Sequence, residues 1–93
     1  MADAEEAWRV TFAGPARRHI SLQIPEAVAV AVLEFCATAL ASNPHRVGSE
    51  LGDPFEGCRS ARRGAFRVVY AIDEERREVR VLRVMHRADV YRP

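Results

Sequence analysis

The chain has no lysine, and all fourteen of its basic residues are arginines. Arginine stays protonated and grips phosphate through two parallel hydrogen bonds, but it is a poor proton shuttle. A positive surface on this protein is therefore suited to holding anions. Any proton transfer must come from other residue types.

Cysteine is scarce, and the two that occur, Cys36 and Cys58, show no CxxC spacing. Cys36 lies in an apolar helical pattern and is predicted to be a small buried hydrophobe. The histidines, cysteines and acids form no group with metal-ligand spacing. The sequence therefore predicts no metal site and no cofactor.

Long apolar runs are also missing. The N-terminal stretch MADAEEAWRV carries acids and lacks the apolar segment of a signal peptide. The longest apolar run is too short to span a bilayer and contains Glu34. We expect a cytoplasmic, soluble protein that has no membrane partner and forms one domain over residues 1–93.

The charge is unevenly distributed although the net charge is only +1. Residues 1–43 hold three arginines and five acids, a net charge of −2, whereas residues 44–93 hold eleven arginines and eight acids, a net charge of +3. Residues 57–72 hold four arginines and no acid. Such a local positive field is typical of a phosphate-binding patch.

Hydrophobic periodicity predicts an α+β fold. In chain order we expect a strand at 7–12, helices at 16–23 and 25–42, and strands at 58–63, 65–72 and 78–86. The order β-α-α-β-β-β predicts a helical hairpin on one face of a largely antiparallel four-stranded sheet. Arg67 should point to the other face, because its neighbours Phe66 and Val68 should point to the helices.

The second predicted helix is apolar over more of its circumference than a surface helix needs. Its polar residues form one narrow stripe containing Glu26, Glu34, Thr38 and Ser42. Either the domain covers the rest of the helix, or part of it meets a partner.

Four arginines, Arg59, Arg62, Arg63 and Arg67, lie on two adjacent predicted strands and are expected to converge on one patch. The patch could bind phosphate or simply keep a sheet face soluble, with arginine stems shielding apolar atoms. Phosphate binding is the better explanation, because acids would serve solubility equally well and none occur there.

The segment MHRADVY adds candidates for chemistry on a phosphate. In metal-free RNA cleavage the 2′-hydroxyl attacks the adjacent phosphorus while cations stabilise the charge that develops. His86 could serve as acid or base, and Tyr91 could stack on or orient a nucleotide. Glu50 and Glu56, in the predicted loop, are carboxylates that could act as the base.

The residues LG...EGCRSARRGAFRVVYAID....VRVLRVMHRADVY resemble the RelE-type toxins of bacterial toxin–antitoxin systems, within the RelE/ParE superfamily. The resemblance covers the whole chain, and its most specific parts are GxFRVVYxID and HRxDVY. It implies a microbial-ribonuclease-like fold and a metal-independent endonuclease that cuts mRNA in the ribosome. It also implies a RelB-like antitoxin, which binds operator DNA together with the toxin.

The resemblance also implies roles for individual residues. Arg67 and Arg87 match arginines that act on the scissile phosphate, and Tyr91 matches the C-terminal tyrosine. His86 is the nearest match to a histidine acid, and Glu50 a loose match to a glutamate base. Either Arg62 or Arg63 matches a basic residue of the family's second strand, and with Arg59 they are the expected RNA-binding residues.

Two other functions remain open. A ParE-like toxin would poison DNA gyrase and cut no RNA, although such toxins generally lack the ending seen in HRADVY. A catalytically silent module would bind only RNA or the antitoxin. Some family members have lysines on the second strand where this chain has Cys58 and Ser60, which keeps the silent alternative open.

Overall fold

The computed structural model describes residues 7–52 and 57–86. In chain order its strands and α-helices are β1 (Arg9–Phe12), α1 (Gly14–Arg18), α2 (Glu26–Phe35), β2 (Ser49–Glu50), β3 (Arg59–Arg63), β4 (Phe66–Asp73) and β5 (Glu78–His86). A π-helical turn, His19–Gln23, continues α1, and a second one, Cys36–Leu40, continues α2.

The strands form one sheet in the order β1-β5-β4-β3-β2. Only the β1–β5 pair is parallel among the described strands. The α+β class and the largely antiparallel sheet are therefore confirmed, and β5 has the interior position predicted for it.

The predicted strand number is wrong, because the sheet has five strands and not four. The additional strand, β2, pairs with β3 through Ser49 opposite Ser60 and Glu50 opposite Arg59. A strand of two residues has no periodicity to detect, and the glycines at 48 and 52 favour a loop interpretation.

The β3–β4 hairpin turns at Gly64, as predicted, with a positive φ of 63° that glycine adopts without strain. The β4–β5 pairing is less regular. Val69 lies opposite Arg83 and Tyr70 lies opposite Val81, so Leu82 has no partner on β4. This β-bulge shifts the alternation of β5 by one residue.

One face of the sheet, which we call the helix face, packs against the helices. Its fully buried residues are Ala61, Val68, Tyr70, Val79, Val81 and Val84. Val32, Cys36 and Leu40 of the second helix pack on it, together with Trp8. Burial raises the pKa of the Cys36 thiol to about 11, so it stays protonated and packs as the predicted small hydrophobe.

The loop between the second helix and β2 is tied to the sheet by polar contacts. The buried Tyr70 hydroxyl donates to the Pro44 carbonyl at 2.6 Å. Arg59 Nη2 donates to the carbonyls of His45 and Gly48 at 2.8 and 2.9 Å. A Cβ on Gly48 would lie 2.5 Å from the Tyr70 hydroxyl and 2.6 Å from the Ser60 carbonyl oxygen, so the close approach requires glycine.

The outer surface of α2 is not covered by the described part of the chain. Val30 and Leu33 expose 56% and 43% of their surface. Of the two alternatives for this helix, complete coverage by the described part of the domain is therefore ruled out. No helix in the described ranges is both long enough and apolar enough to cross a membrane.

Candidate functional site

The sheet surface opposite the helix face carries five arginines among the described residues, and we call it the arginine face: Arg9, Arg62, Arg67, Arg80 and Arg83. Arg62 lies directly opposite Arg67 in the β3–β4 register. Arg67 Nη1 donates to Ser60 Oγ at 3.4 Å, which places both on this face. The prediction that Arg67 points away from the helices is confirmed.

The residues at the centre of the arginine face are buried. Ser60 and Val69, which lie opposite each other on it, are only 3% and 1% exposed. Arg67 is half-buried beside them, whereas Arg62 is exposed at the edge. A partly buried guanidinium is screened less by salt than a fully exposed one, so it acts more strongly on a nearby anion.

The predicted convergence of four arginines is wrong for Arg59 and Arg63. Arg59 lies opposite the buried Tyr70, on the helix face, where it binds the loop carbonyls of His45 and Gly48. Arg63 lies opposite Phe66 and lines a cavity beside α2. The period of two along β3 sends alternate residues to opposite faces, which separates Arg59 and Arg63 from Arg62.

His86 also lies on the helix face and not beside Arg67. It is opposite Phe66 in the β4–β5 register, and the two rings meet edge to face with their centroids 5.5 Å apart. Arg67 is opposite Met85, on the other face. The structure therefore does not bring the predicted acid, His86, to the arginine pair.

Glu50 is likewise separated from Arg67. It lies opposite Arg59 on β2, its carboxylate is 4.0 Å from that guanidinium, and its side chain is 85% exposed. Because Arg59 belongs to the helix face, so does Glu50. This position argues against Glu50 as the general base.

Two residues of β5 belong to the site and were missed by the sequence analysis. Arg83 lies opposite Val69 and Arg80 opposite Ala71, so both are on the arginine face. The signal was present in the pattern VRVLRV, whose two arginines share a face only if Leu82 is an extra residue in the strand.

The fold brings His19, which follows α1, to the edge of β5. Its Nδ1 accepts a hydrogen bond from the Val84 amide at 3.4 Å, just beyond the end of β1. Burial, together with the nearby charges of Arg83 and Arg18, lowers the pKa of His19 below its ordinary value of 6.5. The neutral imidazole is the form that can accept this bond.

Three predicted residues, Arg87, Tyr91 and Glu56, lie outside the described residues. Within residues 7–52 and 57–86, no three histidines, cysteines or acids are grouped so that they could hold a metal ion. The described site thus consists of arginines on a sheet surface with serine, valine and alanine between them.

Comparison with known proteins identifies the chain. A model of the ParE toxins of type II toxin–antitoxin systems matches residues 15–91. The toxin RelE of Mycobacterium tuberculosis is 39% identical over 92 residues, which cover 99% of this chain and 93% of that protein. The chain belongs to the RelE-type toxins of the RelE/ParE superfamily.

Other relatives agree with this assignment. The M. tuberculosis toxin RelG is 44% identical over 85 residues, covering 91% of this chain and 97% of RelG. The toxin–antitoxin complex RelBE2 of the same species contains a chain of the same fold, with a TM-score of 0.82 and 42% identity over 89% of this chain and 94% of that one.

More distant structures share the fold alone. The isolated Escherichia coli RelE toxin superimposes with a TM-score of 0.69 at 20% identity, covering 86% of this chain and 84% of that one. The predicted RelE-like architecture of this toxin is therefore confirmed.

Proposed function

We propose that this toxin is an endoribonuclease that cuts mRNA on the ribosome and so stops translation. The observation that supports it most is the Arg62–Arg67 pair, two cations directly opposite each other on the sheet surface away from the helices. Two guanidinium groups on facing strand positions can both donate hydrogen bonds to one anion. An RNA phosphate is such an anion. Because the proposed target is the ribosome, the proposed location of the toxin is the cytoplasm.

In the proposed reaction the 2′-hydroxyl of the substrate attacks the adjacent phosphorus and the 5′-oxygen leaves. Arg67 and Arg62 stabilise the negative charge that develops on the phosphorane, a role that needs a fixed cation and no proton transfer. Arg87 and Tyr91, which match functional residues of the family, complete the proposed site. The proton transfers are assigned to no described side chain, because Glu50 and His86 lie on the helix face.

The proposal is tested by inducing the toxin in bacterial cells and mapping new mRNA 5′ ends by primer extension. We expect growth arrest and new ends inside coding regions, in frame with the codons. Arg67→Gln should lower cleavage about 100-fold or more, as does loss of one donor to a developing oxyanion. Arrest without any cuts would contradict the nuclease.

A second candidate function is poisoning of DNA gyrase, because the family model that matches the chain is that of the ParE toxins. The purified toxin separates the two candidates. A gyrase poison would inhibit supercoiling in vitro and leave mRNA intact in cells, whereas the proposed nuclease would leave supercoiling unchanged.

We further propose that a RelB-like antitoxin binds the toxin across α2, and that the complex binds operator DNA. Val30 and Leu33 form an exposed apolar surface on this helix. Beside it, a cavity of about 300 Å³ is lined by Arg63 together with Ala27, Val28, Ala31, Gly64, Ala65 and Phe66. An amphipathic helix that carries an acid would fill the cavity and pair with Arg63.

The antitoxin contact predicts a separation of toxicity from neutralisation. Leu33→Asp should leave the toxin active, because Leu33 lies on α2, which packs on the helix face, but should abolish rescue by the co-expressed cognate antitoxin. Glu34→Gln, which alters the charged neighbour, is the matched control and should still be rescued. Rescue of the Leu33 variant would place the antitoxin elsewhere.

A further inference from the structure

The charge on the arginine face changes sign along the strands. At the end near the β3–β4 turn, Arg62 lies opposite Arg67, and Arg83 lies one row further along, opposite Val69. At the other end Asp73 lies opposite Glu78, and Arg9 of β1 lies opposite Glu78 on its other side, so two acids and one arginine leave a net charge of −1 there. An anionic chain that ran along the strands would therefore leave a positive region and enter a negative one.

The positive row continues across the strands and beyond the sheet. β1 stops at Phe12, opposite Val81, so the rest of β5 is flanked on that side by the helical segment that contains His19. His19 Nδ1 accepts from the amide of Val84, the residue after Arg83, and Arg18 directly precedes His19, so the two arginines lie near this imidazole. Arg62, Arg67, Arg83 and Arg18 thus form one row that runs from β3 to the end of α1.

Three members of this row form no ion pair with any acid in the part of the chain that the structure describes. Arg18, Arg62 and Arg83 are exposed. The ion pairs among the described residues involve His45, Arg59 and Arg76 and none of these three. By contrast, the acidic end is partly satisfied, because Thr11 Oγ1 donates to Glu78 Oε2 at 2.8 Å and Arg76 lies 3.9 Å from Asp73.

We propose that the row is a track for the phosphodiester backbone of a single RNA strand, which crosses the sheet from β3 over β5 and leaves it over α1. This proposal rests on the proposed ribonuclease function and adds to it the path of the substrate. Arg83 and Arg18 are binding residues on this path, distinct from the pair at the reacting phosphate. The acids at the β4–β5 turn prevent the alternative path along the strands by repulsion.

The track is tested by the salt dependence of binding to a 2′-O-methyl RNA oligonucleotide, which cannot undergo attack by its 2′-oxygen. Binding is measured by fluorescence anisotropy over a series of NaCl concentrations. Each phosphate contact to a single strand contributes about 0.7 to the slope of log K against log salt concentration. Arg83→Gln and Arg18→Gln should each reduce the slope by about this amount.

Arg76→Gln is the matched control, because it removes the same charge from the acidic end of the molecule, where no RNA should pass. Its slope should equal that of the unchanged toxin. Equal slopes for the Arg83 and control variants, or no binding of the oligonucleotide by the unchanged toxin, would overturn the track.

The same variants keep the track distinct from the nuclease. A toxin that binds the oligonucleotide through Arg83 but cuts no mRNA in cells would support the track and refute the proposed catalysis. A toxin that cuts mRNA while Arg83→Gln leaves the slope unchanged would support the nuclease and refute the track.

Discussion

The two faces of the sheet use the same residue type for different purposes. On the helix face, Arg59 is bound to backbone carbonyls and lies beside the buried Tyr70 hydroxyl. On the arginine face, Arg62 is exposed and forms no ion pair with any residue that the structure describes. The two are three residues apart on one strand, so a guanidinium's role here follows from its face and not from its place in the sequence.

The largest loss of stability is expected from Gly48→Ala, which attacks the helix face without touching the arginine face. The added methyl group would overlap the Tyr70 hydroxyl and the Ser60 carbonyl, and neither can retreat from the packed sheet. Overpacking of this kind costs about 1–3 kcal/mol, and we expect the upper end. Urea unfolding measures it, with Gly52→Ala, which has open space around it, as the control. Equal stability of the two variants would show that the loop can move away.

Exchanging the two arginines in turn should separate stability from RNA binding. Arg59→Met should lower the free energy of unfolding by about 1.5–2 kcal/mol, the lower part of the range for one hydrogen bond from a charged donor, because water can replace the exposed bond to His45. Arg62→Met should change it by no more than about 0.5 kcal/mol.

RNA binding should respond in the opposite way to the same two substitutions. Arg62→Met should weaken binding of the 2′-O-methyl oligonucleotide, whereas Arg59→Met, measured at a temperature where it is folded, should not. Urea unfolding and anisotropy on both variants give the four values. The comparison of faces fails if one variant lowers both quantities.

The stability of the folded toxin should depend on pH through His19, which lies at the edge of β5. Its pKa is lowered in the folded toxin, so the unfolded chain binds more protons and the toxin loses stability as the pH falls below about 6.5 toward the folded pKa. The charged groups around it, Arg18 and Arg83, act in the same direction. In the His19→Gln variant the side-chain oxygen can still accept a hydrogen bond from the Val84 amide, but the side chain does not titrate.

The measurement is the thermal unfolding temperature of both proteins between pH 7.5 and 5. We expect the unchanged toxin to show the steeper decline, and His45→Gln serves as a control that removes the contact of another histidine with Glu74. Parallel curves for the toxin and the His19 variant would contradict the assigned role of His19.

The smallest effect is expected from His86→Phe. A phenyl ring preserves the edge-to-face packing on Phe66, and the position faces away from Arg67. Messenger RNA cleavage in cells should therefore stay within about threefold of the unchanged toxin. A general acid or base contributes about 100-fold or more, so a loss of that size would restore His86 to the catalytic site.

The sequence was sufficient for the class of fold because its strongest patterns are long. The alternation in FRVVYAID and the near-continuous apolar run in EVRVLRVMH predict β4 and β5, whose interior positions are confirmed. The two-residue β2 was missed because its pairing depends on backbone hydrogen bonds and carries no pattern of its own.

The site was predicted less completely, because its composition depends on which face of the sheet each strand residue occupies. Alternation along the strands places Arg62 and Arg67 on the same face of the sheet. The same alternation places Arg59 and Arg63 on the opposite face, which the sequence prediction overlooked because all four arginines are close together in the chain. The face that His86 occupies could be assigned only from the pairing register, and the face of Arg83 only from the position of the bulge. Both depend on which residues of two strands stand opposite each other, which a single strand's sequence does not determine.

The unpaired Leu82 has a consequence for comparing this toxin with its relatives. If that residue is removed, β5 reads VRVRVMH, and simple alternation then sends every remaining side chain to the face it occupies now. A homologue one residue shorter at this point could present the same valines inward and the same arginines outward. Alignments of the family should therefore permit a one-residue gap at position 82, since a gap forced elsewhere would misassign functional positions downstream.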